Sequence, residues 1–78
     1  MIDHEGMTPL YIQVADAIEA RIVSGELVPN RPIPSENALT QEYGVARGTA
    51  RKAVDVLRER GLVVTVTGRG TFVIGKDG

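Results

Sequence analysis

Apolar residues recur every four positions early in the chain, at Leu10, Val14, Ile18 and Ile22, flanked by Tyr11, Ala15 and Ala17. Gln13, Asp16 and Glu19 fall on the opposite side. That spacing predicts an amphipathic helix of about four turns. Thr8-Pro9 marks its start, since a Thr hydroxyl can cap the first free N–H groups and Pro suits the first helical position. Ser24-Gly25 marks its end. The stretch Leu27-Val28-Pro29-Asn30-Arg31-Pro32 is too rich in proline for a helix and predicts a turn, then a short edge segment around Ile33. A second helix is expected from Pro34-Ser35-Glu36, with Ser35 as cap and Glu36 near the positive end of the helix dipole. Ala38, Leu39 and Tyr43 form its narrow apolar side, Gly44 stops it, and Val45 is an apolar plug for a tight turn. A third helix carries Ala50, Ala53, Val54 and Leu57 at i, i+3, i+4 and i+7, and ends at Gly61. The period then changes. Residues 62–67 and 71–74 are rich in β-branched side chains and are separated by Gly68-Arg69-Gly70, which signals a hairpin. Leu62, Val64, Val66, Phe72 and Ile74 are assigned to packing, and Tyr11 and Tyr43 to the core or its edge.

The order is helix, short edge strand, helix, tight turn, helix, hairpin. It predicts an α+β winged helix-turn-helix: one domain over residues 8–75, between flexible ends at 1–7 and 76–78. The 78 residues, 42% of them hydrophobic, suffice for one small core. Without cysteine there is no disulfide and no thiolate metal site. No apolar run nears the roughly 18 residues of a membrane span, and no signal peptide opens the chain, so a cytoplasmic, nucleoid-associated protein is expected.

The formal charge of −1 is not that of a bulk nucleic-acid binder. Its distribution is more informative. Residues 1–43 carry two arginines against seven carboxylates, and residues 44–71 carry six basic residues against two carboxylates. An acidic half is therefore joined to a basic half.

Signals of catalysis fail in turn. His4 is the only histidine and has no partner ligands at metal spacing. Ser24 and Ser35 are accounted for as helix-end residues. Gly68-Arg69-Gly70 lacks the following helix that a phosphate-cradling loop requires. No enzyme activity, metal or cofactor is expected.

The helix-turn-helix pair places chemistry elsewhere. Gly48, Arg51 and Lys52 lie opposite the apolar stripe of the third helix, with Arg47 and Thr49 on its leading turn. Arginine there can grip guanine O6 and N7 or pin a phosphate, and that turn is where a recognition helix meets base edges. The plainer alternative is a solvated face with Arg51 and Asp55 paired at i, i+4. In the hairpin, an arginine between two glycines can enter the minor groove while the backbone lies close to the sugar-phosphates.

From about Pro9 to Val73 the chain resembles the DNA-binding domain of the GntR family of bacterial transcription regulators. The resemblance rests on Pro9-Leu10-Tyr11, Gln13-Val14, Gly25-Glu26-Leu27-Val28-Pro29, Pro34-Ser35-Glu36, Gly44-Val45-Ala46-Arg47, Thr49-Ala50-Arg51 and Gly68-Arg69-Gly70-Thr71-Phe72-Val73, in order and spacing. It implies a repressor that binds palindromic operators as a dimer, with a larger C-terminal domain for effector binding. Pro9-Leu10-Tyr11 resembles the branch with sugar- and amino-acid-type effectors. Asn37, Ala46 and Gly48 depart from the residue types common in the family, and Thr65-Val66-Thr67 replaces a stretch usually richer in Arg and Gln. The candidate DNA contacts are Ser35, Asn37, Arg47, Gly48, Thr49, Arg51, Lys52, Thr67, Gly68, Arg69 and Gly70. The expected partner is double-stranded DNA bearing an inverted repeat. Free in solution the chain is expected to be a monomer or weak dimer that pairs on DNA, with no effector site of its own. The alternative function is a protein-interaction module that turns the same basic face to an acidic partner.

Overall fold

Helix α1 spans Leu10–Val23, α2 Glu36–Tyr43 and α3 Arg47–Glu59, and a hairpin of β1, Val63–Val66, and β2, Gly70–Val73, follows. The structure is a computed structural model that describes residues 2–75; the expected flexible end at 76–78 lies outside them.

The four-residue apolar rhythm of α1 buries Val14, Ala15 and Ile18 and leaves Leu10 and Ile22 half-buried at its ends. The start of α1 differs from expectation. Pro9, not Thr8, is the N-cap, no side chain caps the helix, and the Pro9 carbonyl accepts from the Ile12 and Gln13 N–H groups. Gln13 ties down what precedes it: its amide accepts from the Asp3 N–H at 2.6 Å and donates to the Asp3 and Thr8 carbonyls at 2.7 and 2.8 Å. Through these bonds the start of the chain lies against α1, and Ile2 packs on the edge of the core.

In α2 the cap is as expected: the Ser35 hydroxyl accepts from the Ala38 N–H at 3.1 Å. Ala38, assigned to the apolar side, is exposed, and Leu39 is the residue of α2 that is buried. Gly44 ends α2 with φ +64°, a left-handed conformation that costs glycine little, and so makes the tight turn possible. Val45 is buried behind that turn as its plug. All four apolar positions of α3 are buried, and with α1, Leu39 and Ile33 they make one core.

Arg21 clamps α1 to the end of α2. Its guanidinium donates to Glu26 at 2.7 Å, Glu42 at 2.9 Å and the Tyr43 hydroxyl at 3.1 Å. Partial burial lowers its pKa, but the bonds to Tyr43 and Glu26 raise it by more, leaving it above the ordinary arginine value.

The hairpin is antiparallel, with Val63 opposite Val73, Val64 opposite Phe72, Thr65 opposite Thr71 and Val66 opposite Gly70. Segment 30–33 adds the expected edge piece along β2: Pro32 bridges Phe72, the Ile33 N–H donates to the Thr71 carbonyl, and the Val73 N–H donates to that of Arg31. The packing assignment in the hairpin is corrected. Val63 and Val73 are the buried pair, whereas Val64, Val66 and Ile74 are exposed; of the five assigned residues, Leu62 packs against the core. Successive strand residues face opposite sides, so moving the buried set by one position exchanges the two faces. A run in which almost every residue is apolar or β-branched does not say which face is inward.

Candidate nucleic-acid interface

The Ala46-Arg47 junction starts α3 at the tight turn, so the leading turn of this helix projects at the edge of the domain. Arg47, Gly48, Arg51 and Lys52 are all exposed, and Thr49 is half-buried. Nothing lies within 4 Å of where a Cβ on Gly48 would stand. Arg47 donates to the side-chain oxygen of Asn37, so these two candidates meet across the turn. Arg51 reaches back to Glu36 at 3.3 and 3.4 Å, long contacts on the surface. The expected alternative pairing of Arg51 with Asp55 does not form; Asp55 instead pairs with Arg58 at 2.8 Å.

Ser35, Arg51, Arg69 and Gly70 line one open cleft of about 490 Å³ between the start of α2, α3 and the hairpin. Two candidate arginines, one from α3 and one from the hairpin tip, thus flank one space. Lys52 is placed elsewhere. Its ammonium lies 5.6 Å from the centre of the Tyr11 ring, on the α1 side, where it makes a cation–π contact. Thr67, Gly68 and Arg69 form the exposed tip, closed by the Arg69 N–H donating to the Val66 carbonyl at 2.9 Å. Gly68 and Gly70 have φ of +79° and +122°, and a Cβ on either would meet open space, so it is backbone conformation that calls for glycine there.

The ion pairs sort the positive charge. Arg21 faces Glu26 and Glu42, Arg58 faces Asp55, and Arg60 faces Asp16 at 2.9 Å and Glu19 at 2.7 Å. The hydrogen bond that Arg60 donates to Asp16, with the one to Glu19 adding to it, holds the pKa of Arg60 above the ordinary value despite some desolvation. Among the described residues, Arg31, Arg47, Lys52 and Arg69 have no ion-pair partner. Three of these four are candidate contacts, so the basic half of the chain keeps its free charge near α3 and the hairpin tip despite a net charge of −1. No group of side chains able to hold a metal occurs among the described residues, and no helix there is long and apolar enough to cross a membrane.

Sequence reasoning passed over Glu36 as a partner of Arg51, and Arg58 and Thr65 as cleft-lining residues. The Asp55–Arg58 pair could have been found from its i, i+3 spacing. The other contacts join residues distant in sequence and left no local signal.

The family model described as "Bacterial regulatory proteins, gntR family" matches residues 10–73. The chain is 38% identical over 72 residues to the HTH-type transcriptional repressor NagR of Bacillus subtilis, covering 92% of this chain and 30% of that protein. It is 44% identical over 68 residues to the mannosyl-D-glycerate transport/metabolism system repressor MngR of Escherichia coli, covering 87% and 28%. It therefore spans about a third or less of the length of these curated relatives. Among solved structures, AraR(DBD) in complex with operator ORR3 superposes with a TM-score of 0.81 at 44% identity, covering 94% of this chain and 88% of that one. YtrA from Sulfolobus acidocaldarius, a GntR-family transcription factor, superposes with a TM-score of 0.87 at 38% identity, covering 97% and 80%. A model matched over nearly the whole domain, and relatives that share its three helices and hairpin, lead to one conclusion: this chain belongs to the GntR family of bacterial regulatory proteins.

Proposed function

We propose that this chain is a winged helix-turn-helix module that binds double-stranded DNA sequence-specifically and represses transcription from palindromic operators. The observation that carries the reading is the shared cleft, with Arg51 of α3 on one side and Arg69 of the wing on the other. Helix α3 enters the major groove with Arg47 and Arg51 at base edges or phosphates, and Arg69 lies in the adjacent minor groove. Asn37 steadies Arg47 before DNA arrives, and Glu36 does the same for Arg51. Ser35, at the start of α2, offers a hydroxyl and the positive end of a helix to a phosphate. Lys52, directed at Tyr11, belongs to the rim of the contact. The operator complex of a 44% identical domain supports the same use of the fold. Two copies occupy an inverted repeat, one per half-site, and no step of this binding requires a cofactor or catalysis.

The alternative, a protein-interaction module, would turn the same basic face, where Arg47 and Arg69 have no ion-pair partner among the described residues, to an acidic partner. Selection of bound sequences from random duplex DNA tests the proposal. Enrichment of a two-fold symmetric sequence is expected; recovery of sequences without any consensus would overturn it.

A further inference from the structure

The base of the wing and its tip are held by different means. Val63 and Val73 anchor the base in the core, and segment 30–33 supports β2. A two-stranded hairpin has little rigidity of its own. The tip lies roughly 10 Å beyond the Val63–Val73 pair at about 3.3 Å per residue, so a tilt of about 10° there displaces it by roughly 2 Å.

One side chain of α3 opposes that tilt from the β1 side. Arg58 donates Nε and Nη2 to the Thr65 hydroxyl at 3.2 and 2.8 Å, while its Nη1 is held by Asp55 at 2.8 Å. The Thr65 hydroxyl is also hydrogen-bonded to that of Thr71, 3.1 Å away across the hairpin. Thr65 and Thr71 are on the same face as the buried Val63 and Val73, two pairs nearer the tip. Among the described residues, these are the side-chain hydrogen bonds that join α3 to the hairpin. We propose that Arg58 is a positioning residue: through Thr65 and Thr71 it fixes the angle between the recognition helix and the wing, and so the register between major- and minor-groove contacts.

This inference rests on the DNA-binding reading above. Arg58 and Asp55 are both about half exposed, so their pairing adds little to stability, and the effect is expected in recognition instead. The test uses Arg58→Ala, Arg58→Lys and Thr65→Val against three duplexes: the selected site with A·T-rich flanks, the same core with G·C-rich flanks, and a site with a substituted core. Arg58→Ala and Thr65→Val should each weaken the A·T-flanked site about three- to ten-fold, the loss expected of one or two exposed hydrogen bonds. The ratio between correct and substituted core should not change. Arg58→Lys, which keeps the charge but loses the two-donor grip, should fall between wild type and Arg58→Ala. Adding Arg69→Ala to Arg58→Ala should bring no further loss of flank preference. If Arg58→Ala instead weakens all three duplexes equally while Thr65→Val changes nothing, Arg58 is a phosphate contact and the proposal fails. Independent, additive losses from Arg58→Ala and Arg69→Ala would also overturn it. A wild-type protein that prefers none of the three duplexes would overturn the DNA-binding reading itself, which the other outcomes leave standing.

Discussion

Ala46→Ser should stabilise this domain by about 1 kcal/mol, because α3 begins without a side-chain cap although its backbone is already shaped for one. The comparison lies within the same chain. Ser35 caps α2 at φ −66° and ψ 165°, and its hydroxyl accepts the N–H of the residue three positions on at 3.1 Å. Ala46 stands before α3 at φ −69° and ψ 157°, nearly the same conformation, and is exposed. A hydroxyl there would meet the Thr49 N–H without desolvation and without moving the backbone. For a domain of this size, 1 kcal/mol corresponds to a rise in Tm of about 4–8 °C. Urea and thermal denaturation followed by circular dichroism would measure both quantities, with Ala46→Val as a control that fills similar space but accepts no hydrogen bond. If Ala46→Ser is no more stable than Ala46→Val, the free N–H groups at the head of α3 are already satisfied by solvent at no cost, and the capping argument is refuted.

Gly48→Ala should raise stability by up to about 0.5–1 kcal/mol, since the position is helical, exposed and open, yet weaken DNA binding if the duplex backbone approaches α3 there; a stabilised variant with unchanged affinity would remove Gly48 from the contact set. Arg47→Ala and Arg51→Ala should each cost about 1–3 kcal/mol on the selected site if they read a guanine, and equal losses on selected and random duplexes would assign them to phosphates. Arg69→Ala should weaken A·T-flanked sites most, because narrow minor grooves concentrate negative potential, and indifference to the flanks would mean that the wing is not inserted. Sedimentation of residues 1–78 without DNA should give a monomer or weak dimer, with cooperative pairing on a full operator. A tight dimer in the absence of DNA, or equal affinity per copy for half and full sites, would contradict the paired-site model.

Much of this protein can be read along the chain, because the features concerned are local. The period of Leu10, Val14, Ile18 and Ile22, the cap at Ser35, the turn at Gly44-Val45 and the stripe of α3 each depend on neighbours within a few residues, so the sequence alone determined the three helices, their order and the hairpin. The motifs from Pro9 to Val73 were also enough to indicate the family. Tertiary structure decided three other matters. It chose Val63 and Val73 as the inward pair of the wing, since strand alternation specifies two faces and only packing selects between them. It turned Lys52 of α3 toward Tyr11 and bound Arg60, just past the end of α3, to Asp16 and Glu19, contacts with α1 that no sequence spacing announces. It also brought Arg51 and Arg69 to one cleft and set Arg58 against Thr65. The charge available to a partner depends on which carboxylates lie near which arginines in space, and those distances exist only once the chain has folded.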